Sequence, residues 1–188
     1  MIPDFLYKYI YHILIAILTI VVVRNRRNIF ESEPIIGSLI LCVFMIFFIG
    51  FRPHTSVFVD TKNYADWWGL QYWTGFDTNA ENLLFDNLYI WMSNIFLEPT
   101  VFFLLIASLY FSCMLIACRK LFEANTFIAF LVCLAAFSTF SYGTNGIKAG
   151  LAASLFVVAL AFRDKMAVSV IFLLLSWGCH HSMVLPVG

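Results

Sequence analysis

Three short groups of polar residues interrupt an otherwise apolar chain, and each carries a side chain that can bind an anion or move a proton. The first is Gly50-Phe51-Arg52, followed by Asp60 and Thr61. An arginine can direct two parallel hydrogen bonds onto the oxygens of one phosphate group. The alternative for Arg52 is an anchor whose long side chain reaches the lipid headgroups. The residue type therefore allows a phosphate site without requiring one.

The second group lies between Tyr142 and Lys148, where two glycines interrupt an apolar run. Thr144 or Asn145 is predicted to cap the next helix, which places Lys148 in its first turn. Free N–H groups, the positive end of the helix dipole and a lysine together favour an anion site. Residues 145–162 would form a helix about 27 Å long, so Lys148 is expected near phosphate level. The alternative is an ordinary turn with a solvated lysine.

The third group, Cys179-His180-His181-Ser182, is predicted about two-thirds of the way across the last apolar run. An ionisable side chain at that depth is costly and is by default a functional candidate. Adjacent residues on a helix point about 100° apart, so only one histidine is expected to face the bundle interior. A zinc site would need an i, i+4 pair or partners elsewhere, and none is evident; neither a metal nor another cofactor is predicted. A buried, hydrogen-bonded histidine is the alternative.

Two acidic residues are candidates for proton transfer, although local structure also accounts for both. Asp60 is predicted to cap a helix that runs to Trp73, and Glu81 to complete a capping box that begins at Thr78. A capping carboxylate can still act as a general base, but capping alone predicts nothing catalytic.

The composition indicates the environment in which these groups must work. Of the 188 residues, 62% are hydrophobic and 12% are charged, about half the usual charged fraction of a soluble domain. With a mean hydropathy of +0.90, the chain is predicted to be an integral membrane protein, which excludes a soluble enzyme. Eleven basic and eleven acidic residues cancel, so no nucleic-acid partner is expected. The five cysteines lie in apolar stretches and are expected to be small buried hydrophobic residues.

The apolar runs predict an all-α fold, a polytopic transmembrane helix bundle. Each run approaches the roughly 20 residues that a helix needs to cross a bilayer, and no alternating barrel pattern is present. The six predicted spans cover residues 5–23, 35–51, 100–118, 126–142, 145–162 and 166–186.

Basic residues in the connections predict the orientation of this bundle. Seven of the eleven fall on one face, which the positive-inside rule makes cytoplasmic, so the amino terminus is expected outside. The chain is interpreted as one transmembrane domain, residues 1–188, with an external loop over residues 52–99. Because it stops directly after an apolar run, it is expected to be part of a longer protein. The seven residues are Arg24, Arg26, Arg27, Arg119, Lys120, Arg163 and Lys165.

The external loop is predicted to carry interfacial amphipathic helices. The helix that follows Glu81 and stops before Pro99 would place its apolar residues on one face, in the outer membrane interface. Four tryptophans of the loop suit headgroup level. The predicted apolar face comprises Leu84, Leu88, Trp91, Met92 and Ile95, with Asp86, Asn87 and Asn94 elsewhere; the tryptophans are Trp67, Trp68, Trp73 and Trp91.

The order of these groups resembles the EpsG family of polysaccharide polymerases, which are related in role to Wzy-type enzymes. The resemblance extends from about residue 35 to the end of the chain. Two departures are apparent: the family usually has Arg-Gln where this chain has Lys148-Ala149, and its members are considerably longer. Lysine keeps the charge but loses the bidentate geometry of arginine. The matching pieces are Gly50-Phe51-Arg52, Asp60-Thr61 with Tyr64, Glu81, Asn145-Gly146-Ile147-Lys148 and His181-Ser182.

The resemblance implies polymerisation of lipid-linked oligosaccharide repeat units on the outer face of the bacterial plasma membrane. Arg52, Lys148 and Asn145 would bind the diphosphate of a polyprenyl-diphosphate-linked oligosaccharide, with no cofactor or metal. Asp60, or less readily Glu81, would accept the proton of the acceptor hydroxyl. His181 would position the diphosphate or the acceptor. Membrane lipids and other polysaccharide export proteins are the further expected partners.

Two other functions remain open from the sequence. A flippase for lipid-linked oligosaccharide would bind the same headgroup without breaking a bond, although no internal repeat of the kind found in transporters is evident. A structural subunit of a polysaccharide export complex would use the same charges only as anchors.

Overall fold

All regular structure in the described part of the chain is helical. The computed structural model describes residues 2–24, 35–71 and 75–183. The helices are α1 (Leu6–Arg24), α2 (Ile35–Gly50), α3 (Val59–Trp67), α4 (Leu83–Ile95), α5 (Thr100–Phe122), α6 (Thr126–Ala135), α7 (Phe137–Thr144), α8 (Ile147–Ala161) and α9 (Met166–Cys179). Short 3₁₀ turns cover Trp68–Gln71, Glu123–Asn125 and His181–Met183. The predicted all-α class is confirmed.

Within the described residues, two helical stretches are long and apolar enough to cross a bilayer. These are α1 and the run Thr100–Ala135, which contains α5 and α6; α2, α8 and α9 are apolar but shorter. Leucine, isoleucine, valine and phenylalanine make up more than half of these helices, and many of their side chains are exposed on the outside of the bundle. That pattern suits a lipid environment, where helices satisfy their own backbone hydrogen bonds. The number of spans stays a prediction.

Helix α5 is the centre of the bundle. It packs against α2 on one side and α8 on another, α9 packs on α8, and α6 lies against α5 and α1. One buried cluster joins α4, α5, α8 and α9, and a second joins α1, α2, α5 and α6. Four of the five cysteines are buried as expected, and Cys133 is partly buried.

The bundle has two chemically different ends. At one end the Tyr7 ring stacks on Phe48 and contacts Phe58 edge-on, so the start of α1 meets the end of α2. At the other end Lys120 Nζ lies 2.9 Å from Asp164 Oδ2, which joins the end of α5 to the α8–α9 connection. We call the first the site end and the second the basic end. The described members of the predicted cytoplasmic group all lie at the basic end; Arg26 and Arg27 lie outside the described residues.

The predicted span 126–142 is not one helix. It divides into α6 and α7 at Ala136, whose backbone is extended (φ −62°, ψ 133°). Side chains satisfy the carbonyls that the break releases, since Tyr11 Oη donates to Leu134 O at 2.7 Å and Thr139 Oγ1 to Cys133 O at 2.5 Å. Hydroxyl groups that compete with the helical ladder can interrupt a helix without glycine or proline. The sequence pattern of apolar residues does not reveal this competition.

Both predicted caps in the external loop are wrong. Helix α3 begins at Val59 after Phe58, so Asp60 lies in its first turn, and the α-helix ends at Trp67. The predicted end at Trp73 lies outside the described residues. Helix α4 begins at Leu83 after Asn82 with no side-chain cap, so the capping box at Thr78 does not form. Both carboxylates are therefore free of the local roles that the sequence suggested.

Helix α4 is apolar on two faces rather than one. Phe85, Tyr89 and Met92 are buried against the bundle, whereas Trp91 and Ile95 of the predicted interfacial face are exposed. The outward face can contact lipid, but the buried residues that pack against the bundle determine where the helix lies. The expectation for the tryptophans also needs correction: Trp67 and Trp91 are exposed, Trp68 is only 3% exposed, and Trp73 lies outside the described residues.

Candidate functional site

An aromatic cluster fixes helices α3 and α4 to the site end of the bundle. Trp68 and Tyr89 each pack against Phe102 at the start of α5, with ring centroids 5.8 and 5.3 Å apart. Trp68 Nε1 donates to Phe96 O at 2.9 Å, and Tyr89 Oη donates to Tyr64 O at 2.7 Å. Because their polar atoms have partners, these rings can be buried without loss of hydrogen bonds. The cluster determines where α3 and α4 present their carboxylates.

Arg52 is buried at the end of α2, with only 2% of its surface exposed. Its Nε donates to Thr61 Oγ1 and its Nη1 to Ile49 O, both at 2.7 Å, and the guanidinium lies 4.8 Å from the centroid of the Phe103 ring. Nη2 is buried and has no partner among the described groups. Burial lowers the pKa of Arg52 to about 9, so the side chain still carries its charge at neutral pH.

Thr61 connects this arginine to the junction between α7 and α8. Its hydroxyl accepts from Arg52 and donates to Thr144 O at 2.8 Å. A Cβ added at Gly150 would come within 2.8 Å of Tyr142 Cβ, so glycine is needed for α8 to approach α7 this closely. Hydrogen bonds therefore connect the Arg52 guanidinium, through the Thr61 hydroxyl, to the backbone carbonyl of Thr144 at the end of α7.

The junction itself differs from the predicted cap. Thr144 donates its hydroxyl back to Phe140 O at 2.9 Å, and α8 begins at Ile147 after Gly146, so neither Thr144 nor Asn145 caps it. Asn145 Oδ1 is buried without a partner among the described groups. Lys148 lies in the first turn of α8, as the sequence predicts.

Lys148 is paired with a carboxylate that the sequence analysis assigned no role. Its Nζ lies 2.6 Å from Asp86 Oδ1, and both side chains are about one-quarter exposed, at 25% and 26%. The ammonium also lies over the Phe85 and Tyr64 rings, 5.4 and 5.8 Å from their centroids. Asp86 lies in the first turn of α4, where acidic residues are common. Because its partner Lys148 is 62 positions away, no local sequence pattern predicts this pair.

Asp60 lies within electrostatic range of both cations. Burial raises the pKa of its carboxyl group, while Lys148 and Arg52 act in the opposite direction. The contacts agree, because Thr61, the next residue, accepts a hydrogen bond from Arg52, and Asp60 lines the same cavity as Asp86, the partner of Lys148. The structure therefore brings Arg52, Asp60 and Lys148 together, three candidates from separate parts of the sequence.

The histidines are not at the predicted depth. Helix α9 ends at Cys179, His180 is extended, and His181 begins a 3₁₀ turn at the site end. His181 N donates to Asn82 Oδ1 at 3.2 Å, and its Nδ1 lies 3.4 Å from Glu81 Oε1. The His181 and Glu81 side chains are 54% and 72% exposed, so this pair lies at the surface. The expectation of a histidine deep within a transmembrane helix is wrong.

His180 is within electrostatic range of Lys148. Burial lowers its pKa, and His181 and Lys148 lower it further, which favours the neutral ring. Its Nδ1 lies 2.8 Å from Ser182 Oγ. Both adjacent histidines thus reach the site end, because an extended residue follows the helix.

A cavity of about 820 Å³ opens beside these groups. Carboxylates from α3, from α4 and from the loop between them line it, together with the exposed Trp67 ring and the more buried Tyr64 and Tyr89 rings. Among the described residues, no group of three or more His, Cys, Asp and Glu side chains could hold a metal ion. The lining includes Asp60, Asp77, Glu81, Asp86, Tyr64 and Trp67.

Comparison with known proteins identifies the family of the chain. The model of the EpsG family matches residues 35–187, most of the chain and all of the candidate residues. No curated protein and no solved structure gives a significant match. The apolar helices and the family match together indicate a membrane protein. The chain belongs to the EpsG family.

Proposed function

We propose that this protein polymerises lipid-linked oligosaccharide repeat units by glycosyl transfer from a polyprenyl diphosphate. Membership of the EpsG family suggests a role like that of a polysaccharide polymerase. The observation that carries the finer proposal is the position of Asp60, within electrostatic range of both Arg52 and Lys148 beside an open cavity. The carboxylate can accept a proton, and the two cations can neutralise a departing anion at the same place.

The reaction replaces one bond to the anomeric carbon by another. The hydroxyl oxygen of the acceptor repeat forms a bond to the anomeric carbon of the growing glycan. The bond from that carbon to the diphosphate oxygen breaks, and the leaving diphosphate keeps the electron pair. Asp60 takes the hydroxyl proton, and its raised pKa makes it a better proton acceptor than an ordinary aspartate.

The two cations have different roles in this proposal. Lys148 is partly exposed and binds the diphosphate directly, which requires Asp86 to release or share its ammonium. Arg52 is buried, so it stabilises the developing negative charge from beneath and holds the α7–α8 junction through Thr61. Fixed charges directed at a leaving group are the kind of stabilisation that enzymes use most effectively. Asn145 orients the bound diphosphate by donating from its side-chain NH2 group, because its Oδ1, which has no partner among the described groups, can only accept hydrogen bonds.

The second carboxylate and the histidines serve the acceptor. Glu81 is exposed and lies beside His181, so it is a weaker candidate for the base than Asp60. His181 positions the acceptor or the diphosphate from the end of α9, and His180 provides a neutral ring nearby. The proposal requires no metal if the protein's own cations supply the positive charge.

This function sets the expected location and partners. The protein would cross the bacterial plasma membrane several times, with its amino terminus and the loop 52–99 outside. A polyprenyl-diphosphate-linked oligosaccharide is the substrate, membrane lipids surround the helices, and other polysaccharide export proteins receive the product. The grouping of Arg24, Lys120 and Arg163 at the basic end supports this orientation.

The break at Ala136 favours a flippase as the second candidate. Discontinuous helices are common at the substrate sites of transporters. Here, however, the released carbonyls are satisfied by Tyr11 and Thr139, away from the cavity. The break is therefore weaker support for transport than the carboxylate and its two cations are for bond cleavage.

Reconstitution of the full-length protein in vesicles with a lipid-linked repeat unit tests both functions. We expect chain lengthening, and a loss of about 100-fold or more when Asp60 is changed to asparagine. Asp66→Asn is the matched control, since Asp66 pairs with Lys62 on the same helix but does not line the cavity. Movement of the lipid across the bilayer without lengthening would favour the flippase. Full lengthening by Asp60→Asn would remove Asp60 from the mechanism.

A further inference from the structure

The cavity beside the cations has a charge opposite to theirs. Four carboxylates line it, from Asp60, Asp77, Glu81 and Asp86, while no lysine or arginine is part of its described lining. Lys148 reaches the edge of the cavity through its pair with Asp86 and through the Tyr64 ring. A bound molecule would therefore meet positive charge at the inner edge, near Asp60 and Asp86, and negative charge farther out.

The walls of the cavity also suit a carbohydrate. Trp67 is 59% exposed although it lines the cavity, so its ring is free to contact a ligand. Such a ring offers apolar contact to the C–H face of a sugar, while asparagine amides such as Asn63 and Asn79 offer hydrogen bonds. Carboxylates accept strong hydrogen bonds from hydroxyl groups. A volume of about 820 Å³ is large enough for several sugar rings.

We propose that this cavity binds the sugar portion of the substrate and selects neutral or amine-bearing sugars over uronic acids and other acidic sugars. The inference rests on the proposed function, which places the diphosphate at Lys148 and directs the attached glycan into the cavity. An acidic sugar would bring a carboxylate close to Asp77 and Glu81, and like charges at short range disfavour binding. The same carboxylates accept hydrogen bonds from neutral hydroxyls and pair with an ammonium group.

Asp77 offers a substitution that removes charge with little change of structure. Its Oδ1 accepts a hydrogen bond from Asn79 N at 2.9 Å, and an asparagine at position 77 can accept the same bond. Glu81→Gln similarly keeps the length of an exposed side chain. The double variant Asp77→Asn/Glu81→Gln should therefore fold like the parent protein and lose two negative charges from the cavity.

Binding of soluble trisaccharides to the full-length protein in nanodiscs tests the selectivity by calorimetry. The probes are a glucose trisaccharide and the same trisaccharide with one glucuronic acid residue. We expect the neutral probe to bind about tenfold more tightly, and the double variant to bind both almost equally. Asp66→Asn should keep the preference of the parent, and Trp67→Ala should weaken both probes several-fold. Equal affinities in the parent, no binding of either probe, or a preference unchanged in the double variant would overturn the proposal.

A lengthening assay with neutral and uronate-containing lipid-linked repeats separates this inference from the proposed function. If the binding preference is present and neither repeat is lengthened, polymerisation is wrong and the sugar selectivity stands. If both repeats are lengthened at equal rates, the selectivity is wrong and polymerisation stands.

Discussion

The two ends of the bundle use charge differently. At the basic end, Lys120 and Asp164 form a pair whose side chains are 36% and 52% exposed. At the site end, Arg52 is 2% exposed and Lys148 shares its ammonium with Asp86 at 2.6 Å between aromatic rings. Water screens the first group, so its contribution to local stability is small. The second group lies in a less polar environment, where each charge strongly affects its neighbours.

The charges at the basic end are suited to orienting the protein in a membrane, whereas those at the site end are suited to chemistry. Exposed cations between short helices are sufficient to bias insertion into a membrane, and their individual contacts matter little. A buried guanidinium is costly to desolvate and persists only where fixed partners compensate for that cost. Substitutions at the two ends should therefore have effects of very different size.

The largest difference is expected between two lysines. Lys148→Ala should reduce the rate of chain lengthening by about 100-fold, because the proposed mechanism uses this cation to bind the leaving diphosphate. Lys120→Ala should leave the rate unchanged. The measurement is the initial rate of lengthening in vesicles, with both variants inserted at equal amounts. Equal losses in the two variants would show that the ends do not differ in this way.

Arg52→Lys should cost stability even though it keeps the charge. One ammonium cannot reproduce both the Thr61 and the Ile49 hydrogen bonds, so we expect a loss of about 1.5–3 kcal/mol in the free energy of unfolding. Thermal unfolding in detergent measures this change. Arg119→Lys at the basic end is the control and should stay near the parent midpoint. A midpoint for Arg52→Lys equal to that of the control would mean that these two bonds contribute little.

The pH dependence of the reaction should respond to Lys148 through Asp60. Lengthening requires the ionised carboxylate, so the rate should fall as the pH drops through the raised pKa of Asp60. Because Lys148 lowers that pKa, Lys148→Met should move the acid limb to higher pH. Lys62→Met removes a cation that pairs with Asp66, and it should leave the limb in place. A shift to lower pH would contradict the assignment of Asp60.

The smallest effect is expected from Asp164→Asn at the basic end. The substitution removes an exposed partner of Lys120, and pairs of this kind contribute little to stability. We expect no measurable change in the unfolding midpoint or in the lengthening rate. A clear loss of stability would show that the basic end is as tightly fixed as the site end.

Much of the helical framework followed from the sequence, whereas its irregular points did not. Apolar runs and flanking charges predict helices in the regions of α1, α2, α5, α8 and α9, and they place Lys148 in a first turn. The break at Ala136 depends on the Tyr11 hydroxyl, which is distant along the chain. Helix α9 ends at Cys179, before both histidines, although the predicted span continues to residue 186. Apolar periodicity carries no information about either.

The site was predictable as a set of residues rather than as an arrangement. Arg52, Asp60 and Lys148 stand out by type and position, and the structure brings them together. The burial of Arg52 beneath Phe103 and the pairing of Lys148 with Asp86 arise from packing between elements far apart in the chain. Asp60 and Glu81 seemed explained as caps because local rules compete with tertiary contacts, and here the tertiary contacts prevail.

The lengths of the helices that meet at the site end have a consequence for the surrounding lipid. Helix α8 has 15 residues and α9 has 14, so each is about 21–23 Å long, shorter than the roughly 30 Å of hydrocarbon in a typical bilayer. Helix α5, with 23 residues, is about 34 Å long. Such mismatch favours a locally thinned membrane around the shorter helices. A polyprenyl chain could then keep its tail in the leaflet while its headgroup reaches Lys148, without extraction of the lipid into water.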